Sequence, residues 1–269
     1  MFCSPDKGTL LKVRRWPICR RLESALRFPG KTFLALGERN GDFFRAGWQT
    51  VDLVGADHVC NIGRDPMPFA DESSDALYAS HVIEHLRPRE GAFLLGEIRR
   101  VLKPGAVCRI VTPDLDLLIE RYRAGDWAFF LRGDGRRILR GVCEGALSPE
   151  LLLVHNRLVG WLASYSGRLD AAGGPIVEKE LVDEKLASLS SVEFRDWCVS
   201  LLEPGRAYAH VCVYDFHTLR RALGNAGFTS IRRKEYGESD YDVLGRFDLD
   251  RARHREYSLY VEARKEQKA

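Results

Sequence analysis

Two histidines four residues apart, with a glutamate directly before the second, form the stretch HVIEH from His81 to His85. The pattern H-x-x-E-H is typical of zinc hydrolases in which both imidazoles bind the metal and the carboxylate activates water. That chemistry needs both histidines on one face of a sustained helix. Here a strand-like run precedes the two histidines and Pro88 follows them closely. No sequence motif indicates a third zinc ligand. We therefore expect no metal at this stretch, and a metal assay separates the zinc hydrolase from the other hypotheses.

Further polar residues and a glycine follow short apolar runs that predict β-strands. These runs are KTFLALG, WQTVDL, ADHVCNIG, SDALYAS and AVCRIVTP, between Lys31 and Pro113. Short apolar runs bounded by turn residues are typical of buried strands. At or just beyond the predicted strand ends lie Gly37, Asp52, Asn61, Ser80 and Asp114. Because ligands bind beyond the carboxyl ends of the strands in open parallel sheets, this clustering predicts a binding site.

The elements that position these residues alternate between strand and helix. Apolar spacing between Arg89 and Leu102 is helical, and the following KPG is expected to end that helix. Such alternation predicts an α/β fold with a Rossmann-like, doubly wound and mostly parallel seven-stranded sheet, covered on both faces. The last elements are a helix in DFHTLRRALGNAGF and strands in TSIRRKEYG and EYSLYVEARK.

Four regions follow from this pattern. Residues 1–30 are predicted as a basic leader helix and residues 31–114 as the binding core. Residues 115–206 carry the helical stretches LDLLIERYRAGDWAFFLR and PELLLVHNRLVGWLASY, which predict an insertion after the fifth strand. Such insertions often cover an active site. Residues 207–269 are expected to complete the α/β core.

Composition excludes some classes of function. The chain has 269 residues, 45% hydrophobic and 29% charged, as in a soluble globular protein with a full core. A net charge of +3, and basic strips without interleaved aromatic residues, do not favour a nucleic-acid partner. Seven scattered cysteines without a C-x-x-C pair favour free thiols in a reducing cytoplasm.

The amino end is basic, but its apolar runs are short and Pro17 interrupts them, so neither a signal peptide nor a membrane span fits. Two alternatives stay open for this leader: a solvated helix that packs on the domain, or peripheral contact with an anionic membrane surface. The cations available for membrane contact are Lys12, Arg14, Arg15, Arg20 and Arg21.

A longer pattern decides between the hypotheses. MPFADESSDALYASHVIEHL followed by EIRRVLKPGAVCRIVTPDLD strongly resembles the class I S-adenosylmethionine-dependent methyltransferases of the type 11-like subgroup. The resemblance runs from about Phe33 to Asp116, and resumes in YDFHTLRRALGNAGF and SLYVEA; the insertion lies outside it. It implies S-adenosylmethionine as cofactor and transfer of its methyl group to a small-molecule or glycan-like acceptor, with O-methylation expected.

The resemblance gives roles to residues at the strand ends. The Asp52 carboxylate suits the cofactor's ribose hydroxyls. Asn61 with Ile62 is expected beside adenine, since an amide both donates and accepts. Ser80 and His81 are expected on the floor of the cofactor cleft. Asp and Asn are also common turn residues for local backbone reasons, and His81 also fits a core position.

The first loop departs from the family pattern G-x-G. LALGERNGD keeps Gly37 but has Arg39 where a second glycine is expected, unless Gly41 supplies the freedom in a longer loop. Glu38 is a candidate contact for the cofactor's amino group and Arg39 for its carboxylate; a solvated loop is the alternative. This departure supports a second hypothesis, a binding or regulatory protein that keeps the fold without turnover.

A hydroxyl acceptor would benefit from a base that removes its proton. The candidates are His85 on the cleft floor, Asp114 after the fifth strand, and His210 with Tyr214 in HVCVYD. His85 is the first choice because an imidazole suits neutral pH. Proximity alone is a sufficient mechanism for many methyltransferases, and His210 also fits a structural hinge.

Overall fold

The computed structural model describes residues 28–38, 48–132, 135–163, 175–202, 209–245, 249–250 and 252–267. Three sequence predictions lie outside these residues: nearly all of the leader helix, its membrane contact, and the roles of Arg39 and Gly41 in the first loop. The cations named for the membrane contact all lie outside the described residues: Lys12, Arg14, Arg15, Arg20 and Arg21.

A seven-stranded sheet forms the centre of the described chain, in the order β3-β2-β1-β4-β5-β7-β6. Its strands are β1 (Phe33–Leu36), β2 (Trp48–Asp52), β3 (His58–Val59), β4 (Ser74–Ser80), β5 (Leu102–Pro113), β6 (Phe228–Lys234) and β7 (Ser258–Lys265). Strands β1 to β5 pair in parallel, whereas β7 runs antiparallel to both β5 and β6. The predicted Rossmann-like, mostly parallel seven-stranded sheet is confirmed.

The described helices connect and cover these strands. They are α1 (Pro88–Val101), α2 (Leu115–Arg123), α3 (Trp127–Phe130), α4 (Gly135–Cys143), α5 (Val154–Leu162), α6 (Lys179–Ser188), α7 (Ser191–Ser200), α8 (Phe216–Asn225) and α9 (Asp242–Gly245). Short 3₁₀ turns occupy Ile83–His85, Pro149–Leu152 and Ala252–His254.

The order of the strands reverses at β1, which pairs with β2 on one side and with β4 on the other. All four residues of β1 are buried, as expected of a strand with neighbours on both edges and layers on both faces. Ligand crevices of doubly wound sheets lie at this reversal, beyond the carboxyl ends of the strands. Gly37 directly follows β1 and His81 directly follows β4, so both residues stand at the crevice.

Two layers cover the sheet. Helices α1 and α8 pack their apolar stripes against one face of the sheet. The buried residues of these stripes include Leu94, Ile98, Leu219 and Leu223. On the other face, Trp48 and Tyr78 of the sheet pack with residues of the segment after β6, such as Leu244. Helix α1 begins at Pro88, and Glu90 accepts the N–H of Arg87 at 2.9 Å, which satisfies a backbone donor at its start.

Helices α2 to α7 lie between β5 and α8, where the insertion is predicted. All of them except α4 share a core of their own, whereas Ile138 of α4 packs in a separate cluster with Leu151. Phe130, Leu158 and Phe194 are buried in this core, which also includes Val213 and Tyr257 from the chain that follows the insertion. The insertion is therefore packed against the segment that leads back into the sheet.

Two element boundaries differ from the sequence predictions. The stretch LDLLIERYRAGDWAFFLR forms two helices instead of one, because Gly125 takes a φ of +64° and Asp126 caps the second helix. The fifth strand, predicted over AVCRIVTP, begins earlier, at Leu102, and therefore includes the KPG of Lys103–Gly105. Leu102 pairs with Ser74 of β4, and a shift in register between the two strands follows this pair.

Within the described residues, no helix combines the length and the apolar character that crossing a bilayer requires.

Candidate active site

The turn after β1 brings the backbone close to the turn after β4. Gly37 takes a φ of +71°, in the left-handed region that favours glycine, and its N–H donates to the Val51 carbonyl at 2.8 Å. A Cβ at this position would lie 2.3 Å from Cγ2 of Val82. Glu38 follows directly and is buried. The missing side chain at Gly37 is therefore required for the two strand ends to meet.

Three residues predicted to contact the cofactor lie at or just after the ends of β2 and β3. Asp52 closes β2 half-buried, and its Oδ1 accepts the N–H of Leu53 at 2.5 Å. Asn61 begins a tight turn just after β3, in which its carbonyl accepts three successive N–H groups at 2.8–2.9 Å. Ile62 is buried directly beside it. These side chains are placed at the same edge of the sheet as Gly37.

His81 is held by its surroundings at the end of β4. Its Nε2 lies 3.0 Å from the hydroxyl of Ser258, and its Nδ1 lies 2.9 Å from Oε1 of Glu84. Its ring also packs on His254, with centroids 3.9 Å apart. The residue takes a φ of +55°, a left-handed conformation that costs a non-glycine residue about 1–2 kcal/mol. These contacts stabilise the strained conformation of His81. Ser80, the last residue of β4, is buried directly before it at the crevice.

Glu84 is fully buried in the 3₁₀ turn after β4. Burial opposes ionisation of its carboxyl, but His81, followed by His85 and His210, outweighs burial and lowers the pKa of Glu84 to about 2. Its Oε2 accepts the hydroxyl of Thr112 at 3.3 Å. The carboxylate is therefore an internal negative charge compensated by imidazoles.

The structure brings two of the predicted catalytic residues together. The rings of His85 and His210 have centroids 4.9 Å apart. Nδ1 of His85 lies 3.2 Å from the Ala209 carbonyl, and Nδ1 of His210 lies 2.7 Å from the Trp161 carbonyl. Because a carbonyl only accepts, Nδ1 carries the hydrogen in both rings, and Nε2 is the basic nitrogen.

The third predicted catalytic residue has a different environment. Asp114 is buried at the start of α2, where its Oδ1 accepts the N–H of Leu117 at 3.4 Å. Its Oδ2 accepts from Nη2 of Arg233 at 2.6 Å. Burial raises the pKa of Asp114 although Arg233 opposes this effect. The carboxylate thus caps a helix and is paired with the strip SIRRKEYG, whose Lys234 pairs with Asp240.

Several residues of this site were not singled out as site residues from the sequence. The HVIEH stretch indicates Glu84 only as the carboxylate of a zinc-hydrolase pattern, and it does not indicate a buried charge between histidines. His254, Tyr257 and Ser258 contact His81 from the other end of the chain. Ser258 begins the resembling stretch SLYVEA, but nothing in the sequence indicates that these three residues lie beside His81. Trp161 contributes a backbone carbonyl, which no residue pattern can reveal.

Comparison with known families identifies the domain. Residues 45–110 match the family model described as a methyltransferase domain. The match agrees with the predicted resemblance to the type 11-like methyltransferases over the segment that carries it. No curated protein matches the chain significantly.

Many solved structures are similar at low sequence identity. Phosphoethanolamine N-methyltransferase 2 of Haemonchus contortus, solved with phosphomonomethylethanolamine and S-adenosylhomocysteine, is 14% identical with a TM-score of 0.40. That alignment covers 92% of this chain and 52% of the other, so the chain spans about half the length of the Haemonchus enzyme. An S-adenosylmethionine-dependent methyltransferase of Methanosarcina mazei is 14% identical with a TM-score of 0.44, covering 89% of this chain and 94% of that one. One of Mesorhizobium loti is 16% identical with a TM-score of 0.41, covering 93% and 97%.

The residues present fit the cofactor chemically. Asp52 supplies carboxylate oxygens for hydroxyl groups, Ile62 supplies a buried apolar surface beside an amide, and Gly37 leaves its turn without a side chain. Gly37 follows β1 at the reversal of strand order, where such folds bind nucleotide-like ligands, whereas Asp52 ends the next strand, β2, and Ile62 follows β3.

Proposed function

We propose that this chain transfers a methyl group from S-adenosylmethionine to an oxygen atom of a small-molecule or glycan-like acceptor. The observation that carries this proposal is the meeting of His85 and His210 at the turn after β4, the strand that pairs with β1. Imidazoles whose Nδ1 carries the hydrogen are suitable partners for a hydroxyl group, since Nε2 then accepts a hydrogen bond.

The strand ends are proposed to hold the cofactor. When bound, S-adenosylmethionine supplies a methyl group on a positively charged sulfur, which is already a good electrophile. The proposed contacts are Asp52 for the ribose, Asn61 with Ile62 for adenine, Gly37 and Glu38 for the methionine part, and Ser80 with His81 for the cleft floor. The protein's own contribution is then to align the acceptor with this methyl group at short range.

The insertion is proposed to position the acceptor. It supplies the Trp161 carbonyl, and the chain that leaves it supplies the Ala209 carbonyl, so both imidazoles are oriented by this part of the fold. His85 is the proposed first partner of the acceptor hydroxyl, and His210 is the second. We assign Asp114 a structural role, because its carboxylate is already engaged by Leu117 and Arg233.

Calorimetric titration with S-adenosylmethionine and with S-adenosylhomocysteine tests the donor half of the proposal. Micromolar binding of both is expected, and would show that the loop with Arg39 admits the cofactor. No binding at millimolar ligand would favour the alternative function, a binding or regulatory protein that has kept the fold.

Transfer of labelled methyl groups to a panel of hydroxylated small molecules and sugars tests the acceptor half. The expected product is a methyl ether, identified by mass spectrometry and NMR. A product methylated on nitrogen or carbon would contradict the proposed acceptor atom while leaving the donor half intact.

A further inference from the structure

Glu84, His85 and His210 form a cluster of metal-ligating side chains beside the proposed acceptor position. One carboxylate oxygen and one nitrogen of each ring all lie within 4.8 Å of one another. We propose that these three residues bind one divalent transition-metal ion, with Zn²⁺ as the reference metal. This ligand set differs from the zinc pattern in HVIEH, because its second histidine is His210, which follows the insertion, and not His81.

The ligand types suit such an ion. Two imidazoles and one carboxylate are the protein ligands of catalytic zinc sites that keep a position open. Imidazole nitrogen favours zinc, iron, copper and nickel over magnesium and calcium, which prefer an all-oxygen shell. The cluster is therefore matched to a transition metal.

The outer hydrogen bonds of both histidines match those of metal ligands. A metal-bound histidine almost always donates its other ring N–H to a carbonyl, a carboxylate or water. His85 and His210 each direct Nδ1 to a backbone carbonyl, those of Ala209 and Trp161. Their Nε2 atoms therefore carry the lone pairs that a metal ion needs, with no change of tautomer.

The spacing of the rings fits a single ion. With metal–nitrogen bonds of about 2.0–2.1 Å and ligand angles between about 90° and 110°, two imidazoles on one ion have centroids about 4.5–5.2 Å apart. The observed separation of 4.9 Å lies in this interval, with the ring planes inclined by 59° instead of stacked. Donor atoms on one ion are about 3.3–3.5 Å apart in tetrahedral geometry, so small side-chain movements complete the site.

Glu84 supplies the charge that the site needs. Its side chain is fully buried, and an enclosed carboxylate is stable only when cationic or hydrogen-bonding groups surround it. His81 and Thr112 contact its two oxygens from the side of the sheet and so fix its orientation. A divalent ion between Glu84 and the two histidines would compensate the same charge more strongly.

The chemical role of the ion rests on the proposed function, whereas its binding does not. An acceptor hydroxyl that coordinates the ion loses its proton to water more readily. The resulting oxygen anion forms the new O–CH₃ bond, and the S–CH₃ bond breaks with its electron pair left on sulfur. The ion thereby takes over the polarisation of the hydroxyl that His85 and His210 would otherwise supply.

Metal binding is tested on the full-length protein after dialysis against a chelator. Titration with Zn²⁺ against a chromophoric competitor is expected to give one equivalent per chain. Co²⁺ loading is expected to give visible absorption of a site with nitrogen and oxygen ligands, without a sulfur-to-cobalt band. Binding well below one equivalent, or a sulfur-to-cobalt band, would overturn the proposal.

Variants assign the ligands. His210→Ala and Glu84→Gln are each expected to weaken Zn²⁺ binding at least about tenfold, whereas His217→Ala, at an exposed histidine of α8, is the matched control. Because Glu84 is buried, circular dichroism checks that Glu84→Gln is folded. If it is not folded, the Zn²⁺ affinity of His210→Ala alone decides whether the site exists. Unchanged Zn²⁺ affinity in folded His210→Ala would refute the site.

Cofactor titration of the same metal-free and zinc-loaded samples separates this inference from the proposed function. Retained S-adenosylmethionine binding in a protein that binds no Zn²⁺ overturns the metal site alone. Zn²⁺ bound at one equivalent without S-adenosylmethionine binding supports the metal site and overturns the donor half of the proposed function.

Discussion

The rings of His85 and His210 lie 4.9 Å apart, and each directs Nδ1 to a different backbone carbonyl. One histidine follows β4 and the other follows the insertion, so the pair depends on the packing of the returning chain against the turn after β4, where the N–H groups of Val211 and Cys212 donate to the Glu84 carbonyl at 2.8 and 3.0 Å. Any change that loosens this packing is expected to affect the two imidazoles together.

Replacing His85 with alanine is expected to lower turnover by about 100-fold or more, the usual contribution of a positioned proton acceptor. Affinity for S-adenosylmethionine is expected to stay within about threefold, because His85 is not among the proposed cofactor contacts. Steady-state kinetics and calorimetry measure the two effects. The exposed His217→Ala serves as control, and equal turnover in folded His85→Ala would remove this residue from the chemistry.

Replacing Asp52 with alanine is expected to weaken cofactor binding by about tenfold to a hundredfold, the loss of one or two charge-assisted hydrogen bonds. Asp71→Ala is the control, since that side chain is 75% exposed and lies outside the proposed site. Calorimetric titration of both variants gives the comparison. Unchanged affinity in a folded Asp52→Ala would exclude a contact between this carboxylate and the cofactor.

Replacing Gly37 with alanine is expected to lower the free energy of unfolding by about 2–5 kcal/mol. The left-handed backbone costs about 1–2 kcal/mol, and overpacking against Val82 costs about 1–3 kcal/mol. Gly96→Ala, in an exposed and open position of α1, is instead expected to stabilise by about 0.5–1 kcal/mol. Urea unfolding of both variants checks the contrast, which similar effects would contradict.

Replacing Asp114 with asparagine is expected to destabilise the chain by about 1–3 kcal/mol, because the buried partner of Arg233 loses its charge. Turnover of the folded variant is expected to be unchanged, since asparagine still caps α2. Unfolding curves and kinetics on the same samples separate the two roles. A large loss of turnover at unchanged stability would make Asp114 catalytic, as the sequence suggested.

Asp75 gives the fold a defined acid sensitivity. Burial raises the pKa of its carboxyl, but hydrogen bonds from Lys103, Lys31 and the N–H of Thr32 outweigh burial, and the pKa is lowered overall. The stabilisation is therefore complete above the unfolded-state pKa of about 3.9 and is lost as the pH falls through the lower folded-state value.

Asp75→Asn removes this charge and is expected to destabilise by about 1–2 kcal/mol at pH 7, a modest value because Lys31 and Lys103 are partly exposed. The difference between the parent and the variant is expected to shrink below pH about 4. Urea midpoints at several pH values measure it, with Asp71→Asn as the exposed control. A difference independent of pH would contradict the assignment.

Local chemistry determined much of this protein from the sequence alone. Apolar runs that end in glycine or polar residues gave the strands, since burial requires apolar side chains and turns require residues such as Gly37. The spacing from MPFADES to PDLD indicated a methyltransferase domain, and residues 45–110 match the model of such a domain. The same reasoning missed the break at Gly125 because its apolar periodicity continues across the turn.

The grouping of the candidate catalytic residues was decided only by tertiary structure. His85 and His210 meet because the insertion returns the chain to the sheet, and sequence distance carries no information about that return. His81 is held by Ser258 and His254 from the end of the chain, and Asp114 is paired with Arg233 across the sheet edge. Contacts between distant segments depend on how the helices and strands pack, whereas the sequence pattern reports only the preferences of each segment.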